Sequence, residues 1–170
     1  MYDIFVQSLG ILAFCVLTAS YWPKKKVWFI ILQLVAYTLY ATHYWLLGGL
    51  TGAWCNVVGI IALLILFFRE KHDSKNKVFV PFILLLFIIG AIYFYNGIAS
   101  FLPVVATLIP MVLNYNKRMI IVKIGGIVGA LLWLAYGIYV LSYAAMLTEG
   151  IFVMSTIASM FFRKDDKNEV

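Results

Sequence analysis

Apolar residues run along this chain in seven long blocks, separated by short polar or glycine-rich intervals. The blocks extend from Ile4 to Trp22, Val27 to Leu47, Gly49 to Phe68, Val78 to Tyr95, Ile98 to Leu113, Met119 to Val140 and Ser142 to Phe162. A helix needs about 20 apolar residues to cross the hydrocarbon of a bilayer. All seven blocks qualify or nearly do, the fifth being the shortest. Gly48, Gly49 and Gly52 stand where a polar loop would otherwise part the second block from the third. None of the blocks alternates apolar with polar residues in the manner of a membrane β-barrel strand. The pattern predicts an all-α membrane protein with seven transmembrane helices.

Composition changes the picture only by excluding alternatives. The 170 residues are 65% hydrophobic and 12% charged. Soluble domains are roughly 45–50% apolar and about 25% charged, so one small core could not hide this excess. Disordered chains are polar and are excluded by the same comparison.

The net charge of +6 sharpens the topology. Lys24, Lys25 and Lys26 lie between blocks one and two. Arg69, Lys71, Lys75 and Lys77 lie between three and four. Lys117, Arg118 and Lys123 lie at or just past the gap between five and six, and Arg163, Lys164 and Lys167 follow block seven. These are all 13 basic residues, and seven crossings place them on one side. The positive-inside rule makes that side cytoplasmic, with the N-terminus outside and the C-terminus inside. Six or eight crossings would scatter them. The clusters therefore imply topology, not a nucleic-acid surface. Lys123, one turn into its helix, can snorkel to the headgroups. Tyr21, Trp22, Trp28 and Tyr115 flank the cytoplasmic ends, and Tyr2, Trp45, Tyr93, Tyr95 and Tyr143 the outer ends, as interfacial anchors do. Cys15 and Cys55 both fall inside apolar blocks and are expected as buried thiols. The start, Met1-Tyr2-Asp3, has no basic n-region and belongs with the first membrane segment.

Blocks one to three and five to seven look like two copies of one unit. Block three ends Phe67-Phe68-Arg69 and block seven ends Phe161-Phe162-Arg163, at an offset of 94 residues. A unit of three crossings ends on the opposite side from its start. A second copy in the same orientation needs one more crossing, and block four, without a charged or amide side chain from Val78 to Phe94, supplies it. The expected organisation is a three-helix bundle over residues 1–72, a linker helix over 73–96, a parallel three-helix bundle over 97–163, and a cytoplasmic tail over 164–170.

Several stretches carry a family resemblance: Gln7-Ser8-Leu9-Gly10, His43-Tyr44-Trp45-Leu46-Leu47-Gly48 through Asn56, Leu102-Pro103, and Thr148-Glu149-Gly150. With the 3+1+3 plan they resemble the SWEET sugar transporters and the wider PQ-loop superfamily, and more closely the YgjV-type bacterial inner-membrane proteins. The Pro-Gln dipeptide of the superfamily is absent, Gln7 standing alone. The resemblance implies a SWEET-like fold in the bacterial inner membrane. It also implies an Asn on the third helix of each unit that holds substrate, which Asn56 matches. At offset 94 the second-unit counterpart is Gly150, with Glu149 one residue away. Aromatics on the second helix of each unit stack on substrate in that family, and Trp133 and Tyr136 are the matching positions.

From the residues themselves, ionisable groups at depth draw attention because they cost roughly 2.5–3.5 kcal/mol at a helix centre. Glu149 and His43 are the two titratable residues in question. Glu149 could couple protons or bind a cation, or it could lie near the outer surface in a structural hydrogen bond. His43, with Tyr40 one turn below, could join a site, although a lone His is more often structural. Asn56 could bind solute or a neighbouring helix. Glu149, Thr156 and Ser159 form a polar stripe toward the cytoplasm that could line a half-channel, or whose hydroxyls could bond their own helix. Gln7 is a further pathway candidate. Gly125-x-x-x-Gly129 and Gly48-x-x-x-Gly52 signal close helix contacts. Pro103 and Pro110 could bend the fifth helix.

No enzyme signature, metal-ligand cluster or phosphate loop is present in the sequence, so neither a cofactor nor catalysis is expected. The expectation is a SWEET-like transporter or facilitator of a small polar solute, working by alternating access around a midplane pocket of Asn56, Glu149, Trp133, Tyr136, His43 and Tyr40, with protons as a candidate coupling ion. The rival is a non-transporting scaffold or sensor that binds a partner protein and has a packed centre. The expected partners are the solute and the bilayer; a homo-oligomer is compatible with either.

Overall fold

Lipid offers no partner to a backbone N–H or C=O, so an apolar run buried in it satisfies them within its own helix. In the computed structural model, which describes residues 2–20, 26–71, 79–113 and 118–162, the runs form α1 (Tyr2–Ala19), α2 (Lys26–Leu46), α3 (Leu50–Lys71), α4 (Phe79–Tyr93), α5 (Phe101–Leu113), α6 (Met119–Tyr139) and α7 (Tyr143–Phe162), with a 3₁₀ turn at Ile98–Ser100 leading into α5. There is no strand among the described residues. Three of these helices are long and apolar enough to cross a membrane, over Val27–Leu46, Ile120–Tyr139 and Tyr143–Met160. Four shorter apolar helices accompany them, over Asp3–Ala19, Leu50–Ile65, Pro81–Tyr93 and Ile98–Leu113. Large apolar side chains face outward along the whole bundle, among them Ile4, Phe5, Ile92 and Met154. A soluble surface does not tolerate such a continuous apolar belt, and a bilayer requires it. Segments 21–25, 72–78, 114–117 and 163–170 lie outside the described residues. With them go the anchors Tyr21, Trp22 and Tyr115, most of the basic residues, the boundary drawn at 72 and the tail.

The helices close into a ring. α2 lies between α1 and α3, and α6 between α5 and α7. The ring is completed by α3 against α5 and by α1 against α7, and α4 packs outside on α3 and α5. Successive helices run in alternate directions, so Val6, His43, Gly49, Tyr136 and Ser142 meet at one end. At the other end, Gln33 Nε2 donates to Ser20 Oγ and Leu113 packs on Gly125. The second end is called basic below, because the Lys and Arg of the sequence flank it.

The sharp α2–α3 and α6–α7 turns show the repeat most clearly. Gly48 (φ 77°) and Leu141 (φ 55°) both take the left-handed conformation, and these positions are 93 residues apart. Gly48 N–H donates to Trp45 O and Gly49 N–H to Tyr44 O; Leu141 N–H donates to Ile138 O and Ser142 N–H to Gly137 O. Both turns are Schellman caps of identical bonding. This register of 93 pairs Asn56 with Glu149, whereas the 94-residue offset of the Phe-Phe-Arg motif pairs it with Gly150.

Close helix approaches use small residues, as in other membrane bundles. A Cβ on Gly129 would stand 2.5 Å from Pro110 Cγ and 2.6 Å from Ala106 O. Pro110 lacks the N–H that Ala106 O would otherwise accept, so α6 comes against the carbonyl that Pro110 frees. A Cβ on Gly90 would collide with the Trp54 indole, whose Nε1–H donates to Leu86 O across the α3–α4 contact at 2.8 Å.

Candidate functional site

A cavity of about 290 Å³ lies inside the ring, near the lower end of the range for small-ligand sites (roughly 300–1,000 Å³). All six ring helices line it: α1 through Leu17, α2 through Tyr37, Tyr40 and Tyr44, α3 through Cys55, Asn56 and Gly59, α5 through Thr107, α6 through Trp133, and α7 through Thr148, Glu149 and Phe152. Tyr37, Tyr40 and Tyr44 follow at i, i+3 and i+7, which keeps them within about 60° of one helix face. On the wall the Trp133 ring packs against that of Tyr44, with centroids 5.6 Å apart.

Many of the polar groups on the wall already have partners. Asn56 Nδ2 donates to Gly52 O at 2.9 Å. Thr148 Oγ1 donates to Ala144 O at 2.8 Å, so the 2.9 Å bond between Tyr40 and Thr148 must be donated by the phenol. Thr107 Oγ1 donates to Pro103 O. Glu149 is the lining carboxyl group, and neither Lys nor Arg lines the cavity.

The repeat register explains why these residues converge. At 93 residues, Tyr40 corresponds to Trp133, Cys55 to Thr148, Asn56 to Glu149 and Gly59 to Phe152, and both members of each pair line the cavity. The wall is thus built twice, from equivalent positions of the two units, with an amide in one half and a carboxyl group in the other.

Of the sequence candidates, the structure brings Asn56, Glu149, Trp133 and Tyr40 together at the cavity. His43, Tyr136 and Gln7 sit instead in a closure at the non-basic end. His43 is fully buried. Its Nδ1 lies 2.8 Å from Val6 O and its Nε2 2.7 Å from Ser142 Oγ. A carbonyl only accepts, so Nδ1 carries the hydrogen and Nε2 accepts from Ser142. Ser142 Oγ in turn accepts Ala145 N–H in the first turn of α7. Tyr136, 2% exposed, places its Oη to accept Gly52 N–H in the first turn of α3 at 3.1 Å. His43 and Tyr136 are repeat equivalents, and each reaches the turn or helix start of the other unit. Gln7 Nε2 donates to Leu141 O at 2.7 Å, and its Oε1 accepts Tyr143 N–H. Thr156 and Ser159 lie on α7 toward the basic end, beyond the cavity wall; Ser159 Oγ donates to Thr156 O within its own helix.

Toward the basic end the bonds described stay within a unit, as in Gln33 to Ser20 and Lys123 Nζ to Ser159 O. Among the described residues no group of three His, Cys, Asp or Glu side chains is placed to hold a metal ion.

The family model of the bacterial inner membrane proteins Imp-YgjV matches residues 4–167. The chain belongs to that family. No curated protein and no solved structure matches it. The family fixes the bacterial inner membrane as the setting and leaves the activity to the site. In this family member, Tyr37, Cys55, Thr107, Thr148 and Phe152 line the cavity without having been singled out in the sequence. For Tyr37 the i, i+3, i+7 spacing with Tyr40 and Tyr44 was the available signal, and for Thr148 its place beside Glu149. Thr107 and Phe152 carried none.

Proposed function

We propose that this protein is a SWEET-like transporter or facilitator of a small polar solute in the bacterial inner membrane, with all seven helices crossing the bilayer and the N-terminus outside. The observation that carries this reading is the central cavity, walled by equivalent positions of two units and containing Asn56 and Glu149. A scaffold has no use for a cavity at the seam with an amide and a carboxyl group in its wall and is better served by a packed centre.

The distribution of the hydrogen bonds among the described residues supports alternating access. The bonds of His43 to Ser142, Tyr136 to Gly52, and Gln7 to Leu141 and Tyr143 join the units at the non-basic end. With the basic end cytoplasmic, this is the conformation closed to the outside. Rocking the units apart at that end breaks the latch bonds, and closing the basic end in exchange delivers the site to the opposite face. Glu149 is the group that can exchange a proton during this cycle.

Reconstituted protein should take up at least one of a panel of sugars, amino acids, amines and vitamins. Asn56→Ala and Glu149→Gln should lower that uptake at least tenfold without unfolding the protein. Absence of uptake across the panel, with and without a pH gradient, would overturn the transporter reading. Uptake unaffected by Glu149→Gln would remove the proton from it.

A further inference from the structure

The chemistry of the cavity wall says more than that a solute fits. Four hydrogen-bond donors there are committed: Asn56 Nδ2 to Gly52 O, Thr148 to Ala144 O, Thr107 to Pro103 O, and Tyr40 to Thr148. The acceptors the wall offers are the Glu149 carboxyl, the Asn56 carbonyl oxygen and the remaining lone pairs of the hydroxyls. An anion would meet Glu149 and no lining cation.

The apolar part of the wall has the same preference. Tyr37, Tyr40, Tyr44 and Trp133 present four aromatic rings, with Tyr40 and Tyr44 6.4 Å apart and Tyr44 and Trp133 5.6 Å apart. The face of an aromatic ring is the negative end of its quadrupole and attracts a cation within about 6 Å. A carboxyl group away from water needs either a proton or a countercharge, and the lining residues provide no countercharge.

We infer that the cavity binds small organic cations with N–H donors, primary ammonium compounds above all, with Glu149 as the counter-charge and the rings of Tyr37, Tyr40, Tyr44 and Trp133 as the cage. This rests on reading the cavity as the solute site and names the class of solute. The two-unit architecture adds an orientation. Asn56 and Glu149 are equivalent in the repeat but differ in charge, so the ammonium group goes to the α7 side and the uncharged end of the ligand to the α3 side.

Three probes of nearly equal size and shape separate charge from fit: benzylammonium, benzyl alcohol and benzoate. Thermal unfolding of the purified full-length protein is followed as each is titrated. Benzylammonium should raise the midpoint saturably by several degrees, while the alcohol and benzoate leave it within a degree. In Glu149→Gln the response to benzylammonium should be lost, and in Glu149→Asp it should persist at a weaker affinity. Equal responses to the alcohol or to benzoate, or an unchanged response in Glu149→Gln, would overturn the inference. The wild-type comparison decides by itself if the Gln variant does not fold. Uptake in proteoliposomes separates this inference from the transporter reading. Benzylammonium that binds but never crosses leaves the cation site standing and removes transport. Asn56-dependent uptake of a neutral or anionic solute, with no competition from benzylammonium, leaves transport standing and removes the cation site.

Discussion

Replacing Tyr136 by Phe tests the closure with a change of one oxygen atom. In the native protein that oxygen accepts Gly52 N–H at 3.1 Å, at the start of α3 where no earlier helical carbonyl is available. The ring stays in place, since it is buried against Tyr44 and Trp133. Phe therefore leaves a buried donor unsatisfied, at a cost of about 1–3 kcal/mol. That corresponds to a factor of about 5 to 150 in the ratio of folded to unfolded protein. A small cavity of about 40 Å³, lined by Gly49, Thr51, Asn96, Ser100 and Tyr136, lies beside the bond. It is large enough for a water molecule, which brings the expected loss toward 1 kcal/mol. Denaturant titration of wild type and variant in one detergent measures it.

A second substitution makes the test specific. A Cβ on Gly49 would stand 2.9 Å from Tyr136 Oη and 3.2 Å from Val140 Cγ1. Gly49→Ala is thus destabilising in the wild type and less so once the oxygen is gone. The double variant should be more stable than the two single losses predict, by about 1 kcal/mol, the order expected for residues in contact. Strict additivity, or a Tyr136→Phe loss within error of zero, would refute the role given to this latch.

Other substitutions address other contacts. Gly90→Ala should destabilise by about 2–4 kcal/mol, because the Trp54 indole must move and give up its bond to Leu86 O; thermal unfolding reads the loss, and Trp54→Leu in the same background should reduce it. His43→Ala should cost about 2–4 kcal/mol by opening a buried void and stranding Ser142 and Val6, with the same readout; a loss under 0.5 kcal/mol would show that the histidine is not the tie between α1, α2 and α7. Leu141→Gly should be neutral or stabilising by up to about 1 kcal/mol, since the strain of a left-handed Leu is relieved at an exposed position while the unfolded chain gains freedom; clear destabilisation would contradict the cap assigned to that turn.

The helices were legible because the hydrophobic requirement of a membrane is written in contiguous residues. The run from Met119 to Val140 became α6 at Met119–Tyr139, and that from Ile98 to Leu113 became the 3₁₀ turn and α5 over the same residues. The site was legible in part. A polar residue in an apolar run announces that it needs a partner, and Asn56 and Glu149 stood out that way, with Tyr40 noted only as a neighbour of His43; all three line the cavity. The identity of the partner depends on rotation about the helix axis. His43 lies about 60° around α2 from Tyr40, which turns it from the cavity to Val6 and Ser142. Tyr136 lies one turn from Trp133 and meets Gly52 instead. Ser159 satisfied itself on its own helix, an outcome that spacing alone does not separate from a channel stripe. The Asn56–Glu149 equivalence was obscured because the repeat register is 93 at the turns and 94 at the Phe-Phe-Arg ends.

The indole of Trp54 has a mechanical consequence for the proposed cycle. By lodging over Gly90 and holding Leu86, it pins α4 to α3, so in that cycle the connector would travel with the first three helices as one four-helix rotor. Play between that rotor and the remaining three helices would then come from the short strap after α4. There Gly97, at φ 86° and exposed, is the pivot on which the swing would turn.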